Sequence, residues 1–161
     1  MKSLVVYSSQ TGNTRKLAEA VFEMLPGDNK ALYPVDEAPD PSGYGFIAVG
    51  FWFMAGKPDP KSSEYLGKVG KKPLFLFATH GAGAGSDHAI HGMALAKSLV
   101  SQSDIRGTYS CQGEVNPKVL KKASQKPEPP VWLADAPDAD GHPNDADIEA
   151  LNYQLAELLT S

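Results

Sequence analysis

Two stretches limit the fold more than anything else in the chain. Residues 45–51 (Gly-Phe-Ile-Ala-Val-Gly-Phe) and 74–78 (Leu-Phe-Leu-Phe-Ala) are near-continuous apolar runs. A strand with one wet face alternates polar and apolar residues. A run without alternation suits a strand covered on both faces, as in a parallel sheet sandwiched by helices. The flanking segments supply the rest. Residues 2–7 read as a short buried strand. Residues 13–25 set Leu17, Val21 and Leu25 four apart, with Ala18 and Phe22 beside them, which makes a helical apolar face ended by Pro26-Gly27. Residues 30–35 form a second strand, placed at a sheet edge by Pro34, which has no N–H for a central ladder. A short helix over 60–67, a helix over 88–101, a weaker strand over 107–112 and a weak helix over 116–124 follow. Over 144–159 the pattern is strongly helical: Asn144 can cap, Asp145 and Asp147 stand in the first turn, and Ile148, Leu151, Leu155 and Leu158 line one face. The expected fold is α/β, a doubly wound parallel sheet with helices on both faces, in one domain over residues 1–161. Ligands in such sheets bind outside the carboxyl ends of the strands. Residues 125–143, with five prolines and Trp132, read as a long irregular loop, a surface strap pinned by Trp132.

Several function classes drop out early. No apolar run reaches 18 residues, so no membrane span is expected. The single cysteine, Cys111, excludes an internal disulfide and favours a reducing, cytoplasmic setting. It reads as a small buried apolar group rather than a nucleophile. The net charge of −4 argues against nucleic-acid binding. Residues 127–161 nevertheless carry eight acidic and no basic side chains. That end is either a solvated loop running into a helix start, where carboxylates offset the dipole, or a docking patch for a basic redox partner. His80, His88 and His91 lack the companion ligands of a metal site, so capping and packing are expected of them and no metal.

After the first strand comes Ser8-Ser9-Gln10-Thr11-Gly12-Asn13-Thr14. Four of these seven residues carry hydroxyls, Gly12 permits a close backbone approach, and a helix begins at once. Free helix N–H groups and hydroxyls can hold a phosphate without a lysine. Neither a Walker loop nor a G-x-G-x-x-G fingerprint is present. The run Val5-Val6-Tyr7-Ser8-Ser9-Gln10-Thr11-Gly12-Asn13-Thr14 resembles the flavodoxin family signature, T/S-x-T-G-x-T, at all its fixed positions. The resemblance extends to element order and length, of the short-chain type. It implies a five-stranded parallel sheet in the order 2-1-3-4-5 and flavin mononucleotide (FMN) as cofactor. By the same resemblance, Ser9, Thr11 and Thr14 give hydroxyls to the phosphate, and Gln10, Gly12 and Asn13 give mainly backbone amides.

The resemblance also points to the two loops that hold the flavin ring. After strand three, Phe51-Trp52-Phe53-Met54 brings three consecutive aromatics to a strand end. They cannot all face the core, and Trp52, then Phe53, is the expected stacking ring. After strand four, Thr79-His80-Gly81-Ala82-Gly83 lets a planar ring lie against backbone. Many flavodoxins place a tyrosine in that second loop; this chain has only His80, which leaves one flavin face open or covered by another element. In the family a carbonyl beside the stacking ring turns toward the reduced flavin. Here Phe53 and Met54 hinder that turn unless it falls at Ala55-Gly56.

The leading functional reading is an electron carrier between redox partner proteins, a monomer or weak dimer with no catalytic residue of its own. The alternative is an FMN-dependent reductase, or a flavoprotein helper serving one dedicated reductase. It draws on the missing aromatic and on five lysines against two acids over residues 57–72. A third possibility is a flavin-free binding module that kept only the fold.

Overall fold

The computed structural model describes residues 2–160. Strands β1 (Ser3–Tyr7), β2 (Lys30–Pro34), β3 (Phe46–Met54), β5 (Pro73–His80) and β6 (Asp104–Gln112) form a parallel sheet in the order β2-β1-β3-β5-β6. With the two-residue β4 (Lys57–Pro58) set aside, this is the expected 2-1-3-4-5 order. β4 pairs antiparallel with the end of β3 and was not foreseen. Helices α1 (Asn13–Met24), α2 (Pro60–Leu66), α3 (Asp87–Leu99), α4 (Pro117–Ser124) and α5 (Asp145–Thr160) complete the chain.

The apolar runs behave as read: Phe46 to Phe51 and Leu74 to His80 are buried throughout. Alternate residues feed two cores. Ile47, Val49, Phe51, Leu74 and Leu76 join one cluster, to which α3 adds Met93 and Ala96. Ala48, Phe75 and Phe77 join the other, with Leu17 and Val21 of α1 and Leu151 and Leu155 of α5. β3 runs three residues further than its apolar stretch, to Met54, and β6 starts at Asp104, three residues before the expected strand.

Within residues 125–143, read as a strap, Val131–Ala139 is a 3-10 segment with Ala136 and Ala139 buried.

In-register parallel pairing places Tyr7 beside Gly50, Trp52 beside Thr79, and Thr79 beside Cys111. Four loops therefore leave the sheet at one edge. Gly50 is required there by packing: a Cβ would lie 2.1 Å from the ring of Phe77, which is itself fully buried. Gly50→Ala should lower unfolding free energy by about 3 kcal/mol, the upper end for overpacking a core, as measured by urea denaturation.

Candidate functional site

α1 begins without a side-chain cap, on Gly12 in the left-handed region (φ 90°) and with no acidic residue in its first turn. The other helices are all capped: Asp59, Ser86 and Asn116 accept from the first turns of α2, α3 and α4. Asn144 and Asp147 exchange reciprocal hydrogen bonds at the start of α5. The opening amides of α1 are thus left for something outside the helix. Around them, Ser9 Oγ accepts from the Gly12 N–H at 3.0 Å, keeping its own hydroxyl hydrogen for another partner, and Thr11 is exposed. Asn13 donates from Nδ2 to the Glu114 carbonyl at 2.9 Å, tying this loop to the one after β6.

Two hydroxyls of the heptad are braces instead. Ser8 Oγ donates to the buried Asp59 carboxylate at 2.9 Å. Thr14 Oγ1, expected to meet the phosphate, is buried and lies 3.0 Å from Thr79 Oγ1, joining α1 to β5. Asp59 also accepts from the Ser62 N–H and Oγ, and its own N–H donates to the Trp52 carbonyl at 3.0 Å. One residue so fixes the heptad, the start of α2 and the backbone of Trp52 together.

Between these loops lies a cavity of about 370 Å³. The heptad contributes Ser9, Gln10, Thr11, Asn13 and Thr14 to its wall, the end of β3 contributes Trp52, Phe53 and Met54, and β5 with its loop contributes Thr79, His80 and Gly81. The remaining expected site residues stand outside. Ser8 and Gly12 are not on the wall, and the Phe51 ring is fully buried in the core. Ala82 is buried, and the Gly83 N–H is taken by Asp135 Oδ2 at 3.0 Å. Phe53 turns toward α3: it stacks on His80 (centroids 5.4 Å apart, 16° between planes) and abuts Gly92, where a Cβ would come within 2.5 Å. Trp52, half-buried, is the ring left to the cavity. The β3–β4 hairpin reverses at Ala55-Gly56 (φ 52° and 80°).

The sequence marked Trp132 as the pin of a strap but not as part of the cavity wall. Its ring lies over Gly81, 3.5 Å from where a Cβ would be, and on the cavity wall. Asp135, three residues on, anchors the strap through Gly83. The loop after β6 adds Gly113, Val115 and Asn116, and α3 adds His88. The proline-rich context of Trp132 marked it as unusual but held no signal for its position, because its neighbours in space are 50 residues away.

Electrostatics separate the titratable groups. Burial lowers the His80 pKa to about 4, so its imidazole is neutral. Burial raises the Cys111 thiol to about 12, so it supplies no thiolate. Among the described residues, no three His, Cys, Asp or Glu side chains converge on a metal position, and no helix is long and apolar enough to cross a membrane. Of the acidic end, Asp135 and Asp147 are engaged internally, the latter also accepting from His142 Nδ1 at 2.6 Å.

Comparison with known proteins agrees with this geometry. Residues 4–155 match the family model described as flavodoxin domain. A flavodoxin-like domain-containing protein, BilS, from Clostridioides difficile (strain CD3) is 32% identical over 123 residues, covering 71% of this chain and 68% of its own. Oxidised flavodoxin 2 from Bacillus cereus superposes with a TM-score of 0.66 at 13% identity, covering 99% of both chains. A flavoprotein from Lactobacillus acidophilus NCFM, solved in complex with FMN, gives a TM-score of 0.54 at 16% identity, covering 77% of this chain and 99% of its own. At such identities the solved structures speak to the fold.

The strap is held over the cavity through the Asp135 carboxylate. In a Trp52→Phe background, Asp135→Ala should shift Trp132 emission to longer wavelength as the ring gains water. It should cost about 1 kcal/mol of stability, the net worth of one hydrogen bond.

Proposed function

The chain belongs to the flavodoxin family, and from that premise we propose that it binds FMN in the cavity at the strand ends and carries electrons to and from a partner protein. The observation that carries this reading is the uncapped N-terminus of α1 opening onto a cavity walled by two tryptophans. An uncapped helix start presents N–H groups and a partial positive charge, the complement of a phosphate dianion. Ser9 and Thr11 add hydroxyl donors, and Gln10 and Asn13 complete that wall. Trp52 comes from the β3–β4 hairpin and Trp132 from the strap, so two aromatic rings from separate elements line the cavity that would take a planar ring. FMN would supply the one- and two-electron redox chemistry at this place.

Trp132 also bears on the choice between carrier and reductase. The reductase reading drew on the missing aromatic of the second loop, and Trp132 brings an aromatic ring to Gly81 of that loop from the strap, which favours the carrier. A carrier needs a surface rather than a substrate space, and the cavity mouth offers one. Met54, Val119 and Val131 are exposed there or beside it. Lys118, Lys121 and Lys122 of α4 are exposed next to them and enter none of the ion pairs among the described residues. Such a mouth suits a partner with an apolar centre and an acidic rim, the opposite polarity to the basic partner that the acidic end of the sequence suggested.

The cofactor assignment predicts that FMN binds at least tenfold more tightly than riboflavin, measured by quenching of flavin fluorescence on titration. Thr11→Ala should weaken FMN by roughly 1.5–3 kcal/mol, the range for a hydrogen bond to a charged group, and leave riboflavin unchanged. Equal affinities for the two flavins would sink the assignment. The docking surface has its own check, the oxidation of reduced protein by ferricyanide. Despite the net charge of −4, that rate should fall as salt rises, because the local lysines attract the anion. In Lys118→Glu/Lys121→Glu/Lys122→Glu the salt dependence should reverse.

A further inference from the structure

Trp52 stands on the wall of the cavity at the strand ends and also on the wall of a second cavity of about 320 Å³, which Tyr7, Pro34, Val35 and Pro60 line as well. The residue is half-buried, and among the described residues its indole makes no ring stack and no side-chain hydrogen bond. Its placement therefore depends on the backbone that carries it. That backbone ends a ladder. Across the β3–β4 hairpin Met54 pairs with Lys57 and Phe53 with Pro58, so Trp52 and Asp59 come next. Pro58 has no N–H, and its pair is the open one. Trp52 with Asp59 is then a pair that exchanges two N–H···O bonds in a regular antiparallel ladder. The first bond is present: the Asp59 N–H donates to the Trp52 carbonyl at 3.0 Å. The second would need the Asp59 carbonyl, which α2 has claimed, for it accepts from the Ser63 N–H at 2.9 Å. The Trp52 N–H donates instead to the Asp59 side chain, to Oδ2 at 3.4 Å.

We propose that Asp59 is a positioning residue for the flavin ring: its side chain completes the ladder at Trp52 and so keeps the indole on the wall of the first cavity rather than letting it turn into the second. The proposal rests on the FMN reading and adds a residue to it. Asp59 lines the second cavity and not the first, so it acts through Trp52. It is 2% exposed and accepts two hydrogen bonds on each oxygen. Oδ1 accepts from Ser8 Oγ and the Ser62 N–H, and Oδ2 from Ser62 Oγ and the Trp52 N–H. Asparagine separates these bonds. With its oxygen in place of Oδ1 it still accepts from Ser8 and still caps α2 through the Ser62 N–H. Its nitrogen in place of Oδ2 can donate to Ser62 Oγ, a hydroxyl that can turn to accept, but it meets the Trp52 N–H donor to donor. The reverse orientation would set a donor against the Ser62 N–H and uncap α2. Asp59→Asn thus cuts the tie to Trp52 and spares the others.

The test is a cycle between the two residues. Dissociation constants for FMN and riboflavin are measured with the native chain, Asp59→Asn, Trp52→Ala and the double variant. With Trp52 present, Asp59→Asn should weaken both flavins about fivefold, the size of a lost aromatic stack. In Trp52→Ala there is no ring to place, so the same substitution should change neither affinity. Equal weakening in both backgrounds would mark Asp59 as a structural residue only, and no weakening would mark it as idle. Either result overturns the proposal and leaves the FMN reading standing. A second measurement needs no change at Asp59. The chain has two tryptophans, so Trp132→Phe leaves Trp52 alone to fluoresce. Its anisotropy should decay only with the tumbling of the whole protein, even before flavin is added. A fast local decay there would show that the ring is not held, and would overturn the proposal whether or not Asp59→Asn folds. Absence of flavin binding by the native chain would overturn the proposal and the FMN reading together.

Discussion

Parallel pairing governs the molecule. β1, β3, β5 and β6 run the same way and in close register, so the loops that follow them emerge side by side. The cost of a parallel sheet is that both faces must be covered, and the two apolar clusters meet that cost with α1 and α5 on one side and α3 on the other. Everything in the cavity wall follows from this alignment. The heptad, the β3–β4 hairpin and the His80 loop meet without any one of them being long.

Alignment alone would leave the loops loose, and a few polar side chains lock them. Asp59 takes hydrogen bonds from Ser8 and Ser62 and pairs backbone with Trp52. Thr14 meets Thr79 across α1 and β5, Asn13 holds Glu114, and Asp135 holds Gly83. Ser8–Asp59, Thr14–Thr79, Asn13–Glu114 and Asp135–Gly83 each join segments more than 50 residues apart, and the first two satisfy groups that burial would otherwise penalise. The donors left over, on Ser9, Thr11 and the opening amides of α1, all belong to one loop. Seven residues thus divide between side chains that brace the loops and groups that stay free at the loop surface.

Legibility in the sequence followed the range of the interaction. The strands and the position of the heptad rested on local patterns, and the sheet order on the family resemblance; the structure agrees with them. Roles within the heptad did not, because whether Ser8 or Thr14 faces a ligand or a brace depends on Asp59 and Thr79, both far away in the chain. Phe51 and Phe53 looked equivalent to Trp52 as strand-end aromatics, yet the pleat sends both to the α3 side, Phe51 into the core. β4 was missed because an Ala-Gly reversal is a weak hairpin signal beside Asn-Gly. Trp132 was legible as the pin of a strap but not as a wall of the cavity, because Gly81, against which it lies, is 51 residues away.

The strap begins some 20 residues after the last strand of the sheet has ended, and its buried alanines, its Asp135 and its Trp132 all lie in the final quarter of the chain. The helix α5, which covers one face of the sheet, comes later still. The loops after β1, β3 and β5 are therefore synthesised before the segment that roofs them, and the sheet gains its full cover only once both the strap and α5 have been made.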